Sequence, residues 1–233
     1  MISRLFQITR RRALAMSFLC TVLGMSLLAA ADFSSYRGFR FGMSVSSATQ
    51  QAGMKPMEAK SVHQRPALIQ ELDFQPNLFH SSAATQDPVS EVSLSFYNGE
   101  LFRIAALYDR YKVEGMTPED MIQAISATYG SAAKPTAEIA YHSYYAEVAP
   151  VLARWEDSEY SYNLIRADDR SSYALVLYSK RLDSLAQPAI LEAVRLDALD
   201  APQREAERAK KQEDDNRAEH EKARLLNKAS FRP

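Results

Sequence analysis

The stretch GMSVSSATQQAGMKP, residues 42–56, returns in altered form as GMTPEDMIQAISATYGSAAKP, residues 115–135. Each copy opens on Gly-Met and a hydroxyl residue, Ser44 or Thr117, passes through a helix-forming segment, and stops at Gly53 or Gly130. Ser and Thr start helices because the side-chain oxygen accepts an otherwise unpaired backbone N–H. Pro118 suits the first helical position, and Glu119 and Asp120 suit the positive end of the helix dipole. Glycine ends a helix because it adopts the left-handed terminal conformation at least cost. The apolar spacing puts Val45, Ala48 and Ala52 on one face of the first helix. In the second it groups Met121, Ile125 and Tyr129, with Ile122 beside them.

Strand-like sequence follows each helix. The first run places strands near Met57–His63, Ala67–Phe74, Glu91–Phe96 and Glu100–Asp109, the second near Ile139–Ala146, Val151–Glu156, Glu159–Arg166 and Ser172–Lys180. For the hairpin VSLSFYNGELFRIAALY, a two-residue Asn98-Gly99 loop sets Leu94 opposite Arg103. A three-residue Tyr97-Asn98-Gly99 loop pairs Leu94 with Phe102 and Val92 with Ile104, gathering apolar side chains on one face. We therefore expect the longer loop. The fold class that follows is α+β: two related units, each a short helix followed by antiparallel strands, then a long charged C-terminal helix or tail. The boundaries fall at 1–31, 32–112, 113–182 and 183–233. Chance recurrence around two ordinary helices is the alternative to duplication.

With YRGFRFGMS leading into a short helix, a glycine and meandering strands, residues 36–182 resemble small bacterial envelope domains of the BamE-like type. The doubling resembles the tandem β-lactamase-inhibitor-protein-like arrangement. The resemblance implies a non-enzymatic role, either in outer-membrane assembly or in binding an enzyme through an aromatic-rich concave sheet. No binding motif of either family is matched position by position, and the lipidation cysteine of the BamE-like pattern is missing.

Arg4 and Arg10-Arg11-Arg12 precede an uncharged apolar stretch from Ala13 that closes on Ala29-Ala30-Ala31. That order is expected of a secretory signal peptide, cleaved before Asp32, and hence of a periplasmic or secreted protein. The same stretch is nearly long enough to serve as a permanent anchor instead. Cys20, the only cysteine, lies in this segment, so disulfides, thiolate catalysis and cysteine metal sites are not expected of the rest. Removing the four leader arginines leaves 24 basic against 29 acidic residues, a net of −5. Such a balance does not advertise nucleic acid or anionic lipid as a partner.

After residue 202 the chain is nearly all charge, alanine and amide. Glu207–Lys211, Lys210–Asp214, Lys211–Asp215, Glu213–Arg217 and Arg217–Glu221 are spaced to pair on a helix, at about 0.2–0.5 kcal/mol each. A solvated helix without a coiled-coil seam is expected. Ile190, Leu191 and Val194 are expected to dock the preceding segment on the body, with Pro202 marking a break or a new start.

Catalytic signatures are missing. His63, His80, His142 and His220 are far apart and form no H-x-x-x-H or H-E-x-x-H spacing. There is no G-x-S-x-G elbow and no Gly-rich phosphate loop. Glu156, Asp157, Glu159, Asp168 and Asp169 sit in turns, where carboxylates ordinarily just meet solvent. No catalytic residue, cofactor or metal is assigned. The candidate binding group is aromatic: Tyr141, Tyr144, Tyr145, Trp155, Tyr160 and Tyr162, whose rings offer large contact area with a polar tip. Alternate strand positions filling the core with these rings is the competing reading. The functional expectation is a binding module for another envelope protein or a small ligand. A hydrolase built from carboxylates or histidine on separate strands, and a structural spacer with a charged tail, are the alternatives.

Overall fold

The computed structural model describes residues 31–76, 87–140, 148–167 and 172–232 of the chain. It is α+β. An arm carrying the two-residue strands β1 (Ser35–Tyr36) and β2 (Phe39–Arg40) leads into helix α1 (Val45–Gln51). Strands β3 (Lys60–His63), β4 (Ile69–Phe74), β5 (Val89–Tyr97) and β6 (Glu100–Tyr108) follow. Then come α2 (Pro118–Tyr129), β7 (Glu138–Ala140), β8 (Val148–Glu156), β9 (Tyr160–Arg166), β10 (Tyr173–Ser179) and α3 (Lys180–Ser230).

Strands β3 to β10 form one antiparallel sheet in the order β3-β4-β5-β6-β10-β9-β8-β7. A helix followed by a four-strand meander thus occurs twice in the chain. The two meanders meet through their last strands, β6 and β10, with Ile104 opposite Leu177.

The helix starts form as the residue types dictate. Ser44 accepts from the Ser47 N–H at 3.2 Å. Thr117 accepts from the Asp120 N–H at 3.2 Å, while the Asp120 carboxylate accepts from the Thr117 N–H at 2.8 Å. The Thr117 N–H, together with the Thr117 hydroxyl at 2.9 Å, holds the Asp120 carboxyl below its ordinary pKa. Ala48, Ala52, Met121 and Ile125 are buried as the spacing predicts, and Val45 and Tyr129 are half-buried.

The hairpin corrects the expected register. Tyr97 pairs with Glu100, so the loop is the two-residue Asn98-Gly99 turn, with both residues at positive φ (49° and 85°). Phe96 then faces Leu101, and the register shifts before Arg103 pairs with Ser95, leaving Phe102 as the extra residue of a β-bulge. The bulge restores Leu94 opposite Ile104, so the apolar face survives by a different route from the longer loop.

Cross-strand register shows what each face carries, since residues directly opposite one another share a face. One row runs Leu72, Leu94, Ile104, Leu177, Tyr162, Trp155 over six strands, and every member is buried. This front face takes the arm and α2. Phe33 meets Tyr162 edge-on at 5.1 Å between ring centroids, and Phe39 meets Phe74 at 5.4 Å. The opposite, back face carries a polar row: Lys60, Glu71, Ser95, Arg103, Tyr178, Ser161, Glu156.

Helix α3 starts on that back face. Leu182, Ala186 and Ile190 pack against Ile69 and Phe102. Leu191 and Val194, expected to dock, face outward, and Ala186 and Ala193 are buried instead. Nor does Pro202 break the helix; Pro188 and Pro202 both lie within it. Proline withholds an N–H from the turn before it. There Arg204 reaches back, donating Nη2 to the Asp197 carbonyl at 2.7 Å and to its carboxylate at 3.2 Å. No described helix is long and apolar enough to cross a membrane.

Candidate functional site

Of the six aromatic candidates, Tyr141, Tyr144 and Tyr145 lie outside the described residues. The other three serve the front face. Trp155 is 1% exposed; its indole N–H points at the C-terminal end of α2, within 3.1 Å of Ser126 Oγ and 3.0 Å of the Gly130 carbonyl. Carbonyls at a helix end have no partner within the helix, and the indole supplies one. Tyr162 is 0% exposed and donates its hydroxyl to the Ser35 carbonyl at 2.8 Å, tying the arm to the sheet. Burial pushes its phenol pKa up. Tyr160, half-buried, stacks on Phe41 at 5.3 Å. Trp155 and Tyr162 are thus sealed under the arm and α2, and the core-filling reading accounts for them.

The polar chemistry that the sequence did not bring forward lies on the back face. Ser93 Oγ is 2.7 Å from Glu71 Oε1 and 2.7 Å from Asp73 Oδ1. Lys60 Nζ stands 3.6 Å from the other Asp73 oxygen. A hydroxyl has one hydrogen to give, so both short contacts form together only if one carboxyl also brings a proton. Below about pH 7 Glu71 is the one that does. It is buried, its Oε2 has no partner among the described residues, and burial, with the Asp73 charge adding to it, lifts its pKa to about 7 against the bond that Ser93 donates to its ionised form. In its acid form Glu71 donates to the Ser93 hydroxyl, which donates to the Asp73 carboxylate; once Glu71 ionises, two carboxylates compete for the single Ser93 hydrogen. Next in this row, Arg103 donates to Asp183 of α3 at 2.7 Å, and Gln187 donates to the same oxygen at 3.0 Å. On β8 and β9, Arg154 donates to Asn163 at 2.6 Å, and Asn163 donates to Ser161 at 3.1 Å. Strand alternation was the available signal, since Glu71 and Asp73, or Ser93 and Ser95, are spaced to share a face.

Between β3 and α3 lies a cleft of ≈ 550 Å³ lined by Ser61, His63, Gln64, Arg65, Asp197 and Arg204. His63 donates Nδ1–H to the Asp197 carboxylate at 3.0 Å, since a carboxylate only accepts. Arg65 pairs with Asp200 one turn further along α3. A carboxylate behind an imidazole is the orienting half of an acid–base dyad. Here, however, the distal Nε2 is buried and has no partner among the described residues, so no reacting atom reaches it as the cleft stands. The pair clasps α3 to the sheet edge. A second cleft, ≈ 360 Å³, lies along the β6–α2 connection, where the Arg110 guanidinium sits 4.5 Å from the Tyr111 ring centroid and Arg166 sits 5.0 Å from that of Tyr173.

His80 and His142 lie outside the described residues, and His220 is exposed on α3. Among the described residues no three His, Cys, Asp or Glu side chains converge to hold a metal. The outer part of α3, residues 201–230, is helical and exposed at every residue. It spans about 45 Å at the helical rise of 1.5 Å per residue. Glu213 pairs with Arg217 at 3.0 Å and Glu221 with Arg224 at 2.6 Å along it. Compared with protein-family models, curated proteins and solved structures, the chain matches none.

Proposed function

We propose that the protein is a non-enzymatic binding module exported to the cell envelope, in which the sheet is a platform and the outer part of α3 is the recognition element. One observation carries this reading: thirty consecutive helical residues, 201–230, stand in solvent on a body whose front face takes the arm and α2 and whose back face takes the start of α3 over Ile69 and Phe102. An isolated polar helix gains nothing from burial, and its side-chain pairs each contribute only tenths of a kcal/mol. A surface that it meets gives it a use. The leader-like residues 1–31 support the envelope location. The helix-and-meander pattern used twice supports duplication and the likeness to tandem β-lactamase-inhibitor-protein-like domains.

A hydrolase has one observation in its favour, the His63–Asp197 pair beside a cleft. It requires that Nε2 open to substrate. Photo-cross-linking separates the two readings. A photoreactive residue at position 219 of α3 is expected to give discrete adducts in envelope extracts, while one at position 119 of α2 gives none. Absence of adducts at 219, together with ester, peptide or glycoside turnover that His63→Ala abolishes, overturns the binding reading in favour of the hydrolase.

A further inference from the structure

Charge is not spread evenly along the outer part of α3. From Glu205 to Glu221 there are seven acidic residues against four basic ones; from Lys222 to Arg232 there are four basic residues, Lys222, Arg224, Lys228 and Arg232, and no acid. The same last segment holds Leu225, Leu226 and Phe231, which are 55%, 64% and 72% exposed. Cations near a helix C-terminus are favoured by the helix dipole alone. The dipole gives no reason for three large apolar side chains to stand in water among them.

We infer that residues 222–232 dock on an anionic lipid bilayer, a reading that rests on the outer part of α3 being the recognition element. Cations interleaved with leucine and phenylalanine match a charged headgroup layer lying over acyl chains, where guanidinium and ammonium groups meet phosphate and the apolar side chains sink just below. The acidic stretch behind this segment is repelled by the same surface, which favours contact end-on rather than along the helix. Three apolar side chains over two turns are too few for a coiled-coil seam, so a second helix is a poorer fit. Nucleic acid would reward the cations and leave the leucines in water. The chain as a whole is acidic, at −1 and at −5 without the leader arginines, so the attraction is local and invisible in the net charge.

Co-sedimentation of the exported form, residues 32–233, tests this, using vesicles of pure phosphatidylcholine and vesicles of equal parts phosphatidylcholine and phosphatidylglycerol, at low and at physiological salt. Binding is expected only with phosphatidylglycerol, weakening as salt rises. K228Q with R232Q is expected to reduce it about 30-fold, and L225S with L226S about tenfold. All four positions are solvent-exposed, so the variants keep the fold, which circular dichroism checks. No binding to phosphatidylglycerol at low salt overturns the proposal, as does equal binding to both vesicles or tighter binding to duplex DNA. If the vesicles fail while adducts at position 219 persist, the partner is a protein and only the bilayer docking falls. If both fail, the recognition role of α3 falls with it.

Discussion

Glu71→Gln isolates the buried acid of the back face. In the native protein its pKa is lifted to about 7 by burial, against an ordinary 4.5. The unfolded chain gives up this proton near pH 4.5, while the folded one holds it until about pH 7. The contribution to stability is therefore full below pH 4.5 and is lost as pH rises through 7. Between about pH 5 and pH 8 the loss amounts to about 2.5 kcal/mol for this group. Glutamine keeps the shape, offers Ser93 an N–H donor in place of the acid O–H, and does not titrate. Urea unfolding of both proteins at steps from about pH 5 to pH 8 reads the effect; titrating groups remote from Glu71 are common to both and cancel in the difference. The wild type is expected to lose stability relative to Glu71→Gln by about 2.5 kcal/mol across the window, with the steepest change between pH 5 and 7. Parallel curves would mean that Glu71 ionises like any surface acid, and would remove the proton from the Glu71–Ser93–Asp73 chain.

Gly99→Ala forces a side chain onto φ +85° in the hairpin turn and is expected to cost roughly 1 kcal/mol or more in urea unfolding. His63→Ala removes the Nδ1 bond to Asp197 and is expected to raise hydrogen exchange in α3 near residues 190–204 while leaving α2 protected; overall it costs about 1.5–3 kcal/mol. Deleting residues 203–233, of which 203–232 are all exposed, is expected to leave the melting temperature of the body unchanged within about 2 °C. Replacing Arg103 by Met together with Asp183 by Leu is expected to leave stability level or higher, since a buried ion pair repays little of its desolvation. Paired spin labels at positions 119 and 219 are expected to report a broader distance distribution in that double variant.

The parts of the fold legible in the sequence are those set by neighbours along the chain. Ser44 and Thr117 announce their helices because a cap acts within three residues. The strands of both meanders follow from alternation and turn residues. The errors come where a distant partner decides. In a regular register the Asn98-Gly99 turn would oppose Leu94 to Arg103, and no local signal marks Phe102 as the bulge that corrects it. The arm's Phe33, Tyr36, Phe39 and Phe41 carry too few residues per strand to read as structure, yet all four are buried. Trp155 and Tyr162 could be read as surface or core, and only the arm, whose Ser35 receives the Tyr162 hydroxyl, decides between them. Glu71, Ser95, Arg103 and Ser161 become one row only when β6 is placed beside β10, a pairing that crosses about seventy residues of chain.

That polar row bears on how α3 is aimed. Leu182, Ala186, Ile190 and Ala193 supply a short apolar contact, and an apolar contact is tolerant of sliding because it has no preferred partner. Arg103–Asp183, His63–Asp197 and Arg65–Asp200 are not tolerant. Each joins one residue of the first meander to one position of the helix, and the three are spread over residues 183–200, nearly five turns. Two fixed points determine a line, and the third resists rotation about it. An error of one residue in register would turn the helix by about 100° and strand all three pairs at once. The ionic contacts therefore serve direction more than stability, and the direction they set is that in which residues 201–232 leave the body.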